Sequence, residues 1–159
     1  MTDLPSYPEE AAEREAAQAQ TSVGRQLSSW GRRLAAYLLD TLIILVPLFV
    51  LIGIGAAADV WAIVIVAYIA TIVGPFVYFT FFHGDARGQT PGKRVLGIRV
   101  AGDETGRSIG YGRAFGRYAI TFVFGFFVLP VILDYLWPLW DSKNQALHDK
   151  VVGSVVERV

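Results

Sequence analysis

Cysteine is absent from the 159 residues, and methionine occurs once, at the start. The first absence excludes disulfides, thiolate metal sites and cysteine nucleophiles, while leaving the redox compartment open. Charge is scarce as well. Only 18% of residues are charged and 53% are hydrophobic, whereas an ordinary soluble domain is about a quarter charged. A bilayer is therefore the expected solvent. Lysine and arginine are missing altogether between Arg33 and Arg87. Serine and histidine are missing from the three long apolar stretches, 34–55, 60–82 and 118–140. That lack removes a serine-type intramembrane protease, and the polar remainder is too small to enclose an active site. No enzyme activity, catalytic residue or cofactor is expected. A cleavable signal is not expected either, because the N-terminus is acidic and polar where a signal peptide needs a basic start and an apolar run.

The charge that is present is unevenly placed, although it sums to zero. Asp3, Glu9, Glu10, Glu13 and Glu15 crowd the first positions. Residues 1–22 have no apolar stripe to bury and are expected to be a disordered acidic tail. Over 23–33, Val23, Leu27 and Trp30 recur at helical spacing opposite Arg25, Arg32 and Arg33, which predicts an interfacial helix. Residues 34–159 then form one membrane domain. The stretches 34–55 and 60–82 are each long enough to cross a core of about 30 Å, and the short connection between them makes a helical hairpin. Gly74-Pro75 removes the donor for the Thr71 carbonyl. The third stretch, 118–140, is interrupted by Gly125, Pro130, Asp134 and Pro138. It is either a single span or a re-entrant hairpin folded at Pro130.

Two polar segments read as strands, Arg94 to Ala101 and the last nine residues, VVGSVVERV. They can pair only on one side of a membrane, which favours the hairpin. Basic residues precede the first stretch and fill the second connection (Arg87, Lys93, Arg94, Arg99, Arg107, Arg113), so the N-terminus is placed in the cytoplasm. The expected fold class is thus an all-α, multi-pass cell-membrane protein: two full transmembrane helices, a third Pro-broken apolar segment and a small cytoplasmic two-stranded β element.

Three blocks, GRRLAAYLLD at 31–40, GQTPGKRVLGIRV at 88–100 and NQALHDKVVGSVV at 144–156, resemble in order and spacing the hallmark blocks of the RDD family, named for one arginine and two aspartates. The resemblance covers about 28–157. It implies a small polytopic membrane protein, mostly bacterial, suspected of a part in transport. It also implies that Arg33 is the arginine, Asp40 the first aspartate and Asp149 the second, with Asp134 and Asp141 as other candidates.

Asp40 lies seven residues after Arg33, on the same helix face but about 10 Å along the axis, so the two cannot pair directly. An aspartate this deep costs about 2.5–3.5 kcal/mol on insertion scales and needs a partner or a proton. Two readings stand. Asp40, with Asp134 and Arg117, forms a proton or cation site, or Asp40 is a buried structural link to Arg117. Asp134 either joins that path or is solvated near the interface. Arg33 either snorkels to phosphate or holds Asp149 from the tail, and the family resemblance implies the latter, as a strut.

GQTPGKR is one residue short of a phosphate-binding loop and has Arg94 where Ser or Thr is needed, so nucleotide binding is not expected. Gly92 and Gly97 are expected to serve tight turns or close packing. His83, Asp85, His148 and Asp149 match no metal-ligand spacing. Lys93 and Arg94 are expected to meet anionic lipid headgroups. The function expected is transport of protons or small cations by a homo-oligomer. The alternative is a non-catalytic accessory, assembly or lipid-binding subunit of a larger membrane complex. No nucleic acid is expected as a partner.

Overall fold

The computed structural model describes residues 24–159, and the acidic tail expected over 1–22 lies outside them. Two long helices carry the architecture, α1 (Trp30–Ala57, 28 residues) and α2 (Trp61–Gly84, 24 residues). At 1.5 Å per residue they measure about 42 and 36 Å, and both are long and apolar enough to cross a bilayer. Runs of Leu, Ile, Val and Phe offer no side chain that competes for backbone hydrogen bonds, so the helices continue through Pro47 and Pro75. The Val60 N–H donates to the Gly55 carbonyl to close the connection. There a Cβ on Gly55 would sit 3.1 Å from Ile63 and Val64, so the small residue lets the helices approach.

The buried charged groups gather at the other end of this pair. Thr90 opens a single helical turn, α3 (Pro91–Val95), by accepting from the Lys93 N–H, with proline at the first position. The strand expected from Arg94 therefore starts later. β1 (Ile98–Gly102) begins after Gly97 at φ 61° and pairs antiparallel with β2 (Ser154–Arg158), Val100 opposite Val156. The surface helix expected over 23–33 is not formed over 24–29, and residue 23 lies outside the described residues. The Ser28 N–H donates to Val156, the Arg158 N–H donates to Gln26, and Leu27 bridges to Glu157. Residues 26–28 thus supply partners to an edge of β2 that would otherwise be left with unpaired backbone groups. Helix begins only at Trp30.

The third apolar stretch doubles back. It consists of α4 (Gly110–Phe124) and α5 (Val128–Leu136), followed by a 3-10 turn (Trp137–Leu139) and α6 (Leu147–Val152). At about 22 and 14 Å, neither α4 nor α5 crosses a 30 Å core. The break falls at residues 125–127, not at the expected Pro130. Proline is accommodated as the third residue of α5 because first-turn N–H groups have no intrahelical acceptor. The Trp30 indole N–H donates to the Tyr135 carbonyl at 2.8 Å, so the end of α5 returns to the start of α1. Ala36, Ile98, Val100, Ile109, Ala114 and Val156 form the buried core at this end. Farther along, Leu42, Val46 and Phe49 of α1 and Val66, Ile69 and Val77 of α2 are exposed.

Candidate functional site at the polar end of the helix pair

Asp149 is the most heavily held residue. It sits in the first turn of α6, where its Oδ2 accepts from the Ala146 N–H at 3.1 Å. Arg33 donates to the same oxygen at 2.5 Å. Arg117 donates to Oδ1 through Nε at 2.8 Å and Nη2 at 2.7 Å, and the Ser154 hydroxyl adds a bond at 2.9 Å. Asp149 is fully buried. Burial alone would raise its carboxyl, but the Arg117 and Arg33 guanidiniums beside it hold it well below the usual range. The expected Arg33–Asp149 strut is present. Arg33 also donates to the Asn144 carbonyl at 2.6 Å, which fixes the segment ahead of α6.

Asp40 has a different environment from the one expected. Its buried carboxylate accepts from the Tyr78 hydroxyl at 2.8 Å, the Gly92 N–H at 2.8 Å and the Thr90 hydroxyl at 2.5 Å. All three donors are neutral. The structural link to Arg117 is not made, because Arg117 is committed to Asp149. Gly92 allows the arrangement: a Cβ there would collide with the Ala36 carbonyl and lie 2.8 Å from Asp40 Oδ1. The close packing expected of Gly92 is thus directed at Asp40.

Asp134 is also fully buried rather than solvated. It accepts from the His148 backbone N–H at 2.9 Å and lies 2.6 Å from His148 Nδ1. Asp40 and Asp134 share no partner. Asp141 caps the loop after the 3-10 turn, accepting from the Lys143 and Gln145 N–H groups and pairing with Lys150.

Lys93 and Arg94 separate. Arg94 is exposed, but Lys93 is 7% exposed and points inward. The Thr90 cap starts the turn that aims position 93 at the helix pair. Lys93 Nζ lies 2.9 Å from His83 Nε2, and Arg117 Nη1 lies 3.2 Å from His83 Nδ1. Burial, then the neighbouring Arg117, pushes the Lys93 ammonium down to about 7, against the opposing pull of Asp40 and Asp149. These groups border a cavity of about 100 Å³, whose polar wall is Arg33, His83, Lys93, Arg117, Asp134 and His148. Trp30, Tyr37, Phe79, Tyr118 and Tyr135 supply its apolar wall.

His83 and Lys93 were not among the expected ion-site residues. The available signal was a histidine at the end of a long apolar helix, followed by a Thr-Pro turn that could fold a lysine back onto it.

The chain belongs to the RDD family, whose model matches residues 27–153. It is 33% identical over 86 residues to a proline-rich antigen homolog of Mycobacterium tuberculosis, covering 52% of this chain and 35% of that protein. It is 37% identical over 70 residues to a proline-rich antigen of Mycobacterium leprae, covering 44% and 27%. An uncharacterized protein of Haemophilus influenzae is 30% identical over 89 residues, covering 55% of this chain and 57% of that protein. The chain therefore spans about a third of the length of the mycobacterial relatives it matches. No solved structure matches it.

Proposed function

We propose that this RDD chain is a multi-pass cell-membrane protein that works as an oligomer in proton-linked transport of a small solute, with its N-terminus and its polar end in the cytoplasm. Two long helices with exposed apolar faces and the crowding of Lys and Arg at one end support the membrane reading and the orientation. The observation that carries the transport reading is the cavity at the polar end, where Lys93 and His83 are buried together beside apolar walls. An intramembrane or near-membrane ionisable group enclosed in this way marks an ion or proton route by default.

The proton suits this site better than an alkali cation does. Asp40 already accepts three hydrogen bonds, and the Arg33 and Arg117 guanidiniums would repel a cation entering the cavity. On this reading Arg33, Asp40 and Asp149 form the frame and Lys93 carries the proton. Two spans and a hairpin cannot enclose a gated path alone, so copies must associate.

The accessory-subunit reading is favoured by one observation: Asp40, Asp134 and Asp149 are all spent on internal partners. The purified protein in sealed vesicles separates the two, since only a transporter speeds the collapse of an imposed pH gradient when the co-transported solute is supplied.

A further inference from the structure

We propose that the cavity beside Lys93 binds a short-chain carboxylate, and that this anion enters together with one proton taken up by the Lys93 amine. The inference rests on reading this cavity as the solute site, and it adds the chemistry of the guest.

Hydrogen-bond polarity fixes the starting state. A guanidinium only donates, so His83 Nδ1 must accept from Arg117. A neutral imidazole then carries its hydrogen on Nε2, which faces Lys93 Nζ at 2.9 Å. Only an uncharged amine can accept that hydrogen. A charged Lys93 kept against His83 would set donor against donor, at Nε2 or at Nδ1, so an ammonium there has to turn to an acceptor other than His83. The groups facing Lys93 from the packed elements are Arg33 and Asp40 of α1, His83 of α2, Arg117 of α4 and Asp149 of α6. Three of these five are cationic or donate toward the lysine.

The cavity is short of acceptors. Asp149 is saturated by Arg33, Arg117, Ser154 and Ala146, and Asp134 is held by His148. Arg33 Nε is buried and unpartnered. A guest must therefore bring acceptor oxygens, and a carboxylate brings two on one carbon. Charge sets the stoichiometry. An anion placed against an uncharged lysine would be buried unpaired, which is costly, whereas a proton on Lys93 gives it a counter-ion. The balance is RCOO⁻ plus H⁺ from water plus the Lys93 amine, giving a Lys93 ammonium paired with RCOO⁻; no bond in the anion breaks. About 100 Å³ holds a few waters or one short acid, and Phe79 and Tyr118 give its alkyl part an apolar surface.

Calorimetric titration of the full chain in detergent with acetate or butyrate, in two buffers of different ionisation heat, tests this. About one pH unit above the Lys93 value of about 7, saturable binding should take up close to one proton per anion. About one unit below, uptake should approach zero and binding should tighten, because Lys93 is already charged. Butyrate should bind more tightly than acetate. Lys93→Met should abolish the uptake and weaken binding by about tenfold or more, equivalent to about 1.4 kcal/mol. No saturable binding of either acid would overturn the proposal, as would binding without proton uptake in the unsubstituted protein, which needs no variant to fold. Proton-coupled binding with no flux in vesicles would overturn the transport reading and leave this site standing.

Discussion

Arg33 and Asp149, 116 residues apart in the chain, meet at 2.5 Å, and Arg117 reaches the other oxygen of the same carboxylate. One buried acid thus ties the start of α1 to α4 and to the C-terminal segment. Removing it leaves two guanidiniums without their counter-ion, a loss of about 3–5 kcal/mol for a buried network of this kind. Asp149→Asn should lower the melting temperature in detergent sharply. Adding Arg33→Met to it should cost less than the sum of the single changes, since one uncompensated charge disappears. Additive losses would mean that the contact is not coupled. Because the folded carboxyl lies well below its usual range, its contribution is present above the unfolded value of about 3.9 and is lost only as pH falls through the lower folded value.

Gly92 has a second kind of constraint, a close approach to Asp40 and the Ala36 carbonyl. Gly92→Ala should destabilise by about 1–3 kcal/mol by overpacking. Gly31, in the exposed first turn of α1, has open space around it, so Gly31→Ala should be neutral or slightly stabilising. Thermal unfolding of the two variants side by side measures the contrast. Equal effects would show that α3 does not press on α1 through Gly92.

Lys93 gives a pH dependence whose sign follows from linkage. Its folded value of about 7 lies below the unfolded 10.5, so between these the unfolded chain binds more protons. Stability should therefore rise with pH from about 7 towards 10.5 and show no Lys93 contribution to the slope below about 7. Lys93→Met should flatten the rise, which melting curves across that range would record. An identical slope in the variant would assign the titration elsewhere.

The proposed orientation can be read chemically in this cysteine-free chain. Ala58, in the connection between α1 and α2, and Ser142, near α6, are both exposed at opposite ends of the helix pair. In intact cells, Ala58→Cys should react with a membrane-impermeant maleimide and Ser142→Cys should not. The reverse pattern would invert the topology, and labelling of both would remove the hairpin.

Much of the frame was legible in the residues because long apolar runs have few alternatives. The stretches at 34–55 and 60–82 lie within α1 and α2, apart from Val60 at the turn, and the strand-like segments do pair. The pairing of Arg33 with Asp149 comes from the family resemblance, and the two side chains do meet. Partners that depend on how helices face one another were not legible. Depth in the apolar stretches pairs Arg117 with Asp40, yet which of two acids an arginine meets is set by packing, which periodicity alone leaves open. Proline ends helix interiors, which points to Pro130 as the break, but Pro130 lies in the first turn of α5, where that rule does not hold. Lys93 is pointed to lipid headgroups by its basic, glycine-rich loop. Its inward aim comes from the Thr90 cap and the Pro91 turn, signals present in the sequence that a strand reading of 94–101 overrode.

The most direct test of the account is proton movement through the protein in sealed vesicles that hold a pH-sensitive dye, with the membrane potential clamped and lactate present or absent outside. The account predicts decay at the protein-free rate without lactate, faster collapse of the pH gradient when lactate is present, and loss of that acceleration in folded Lys93→Met. A gradient that decays at the protein-free rate with lactate present, or undiminished lactate-dependent flux in Lys93→Met, would contradict it.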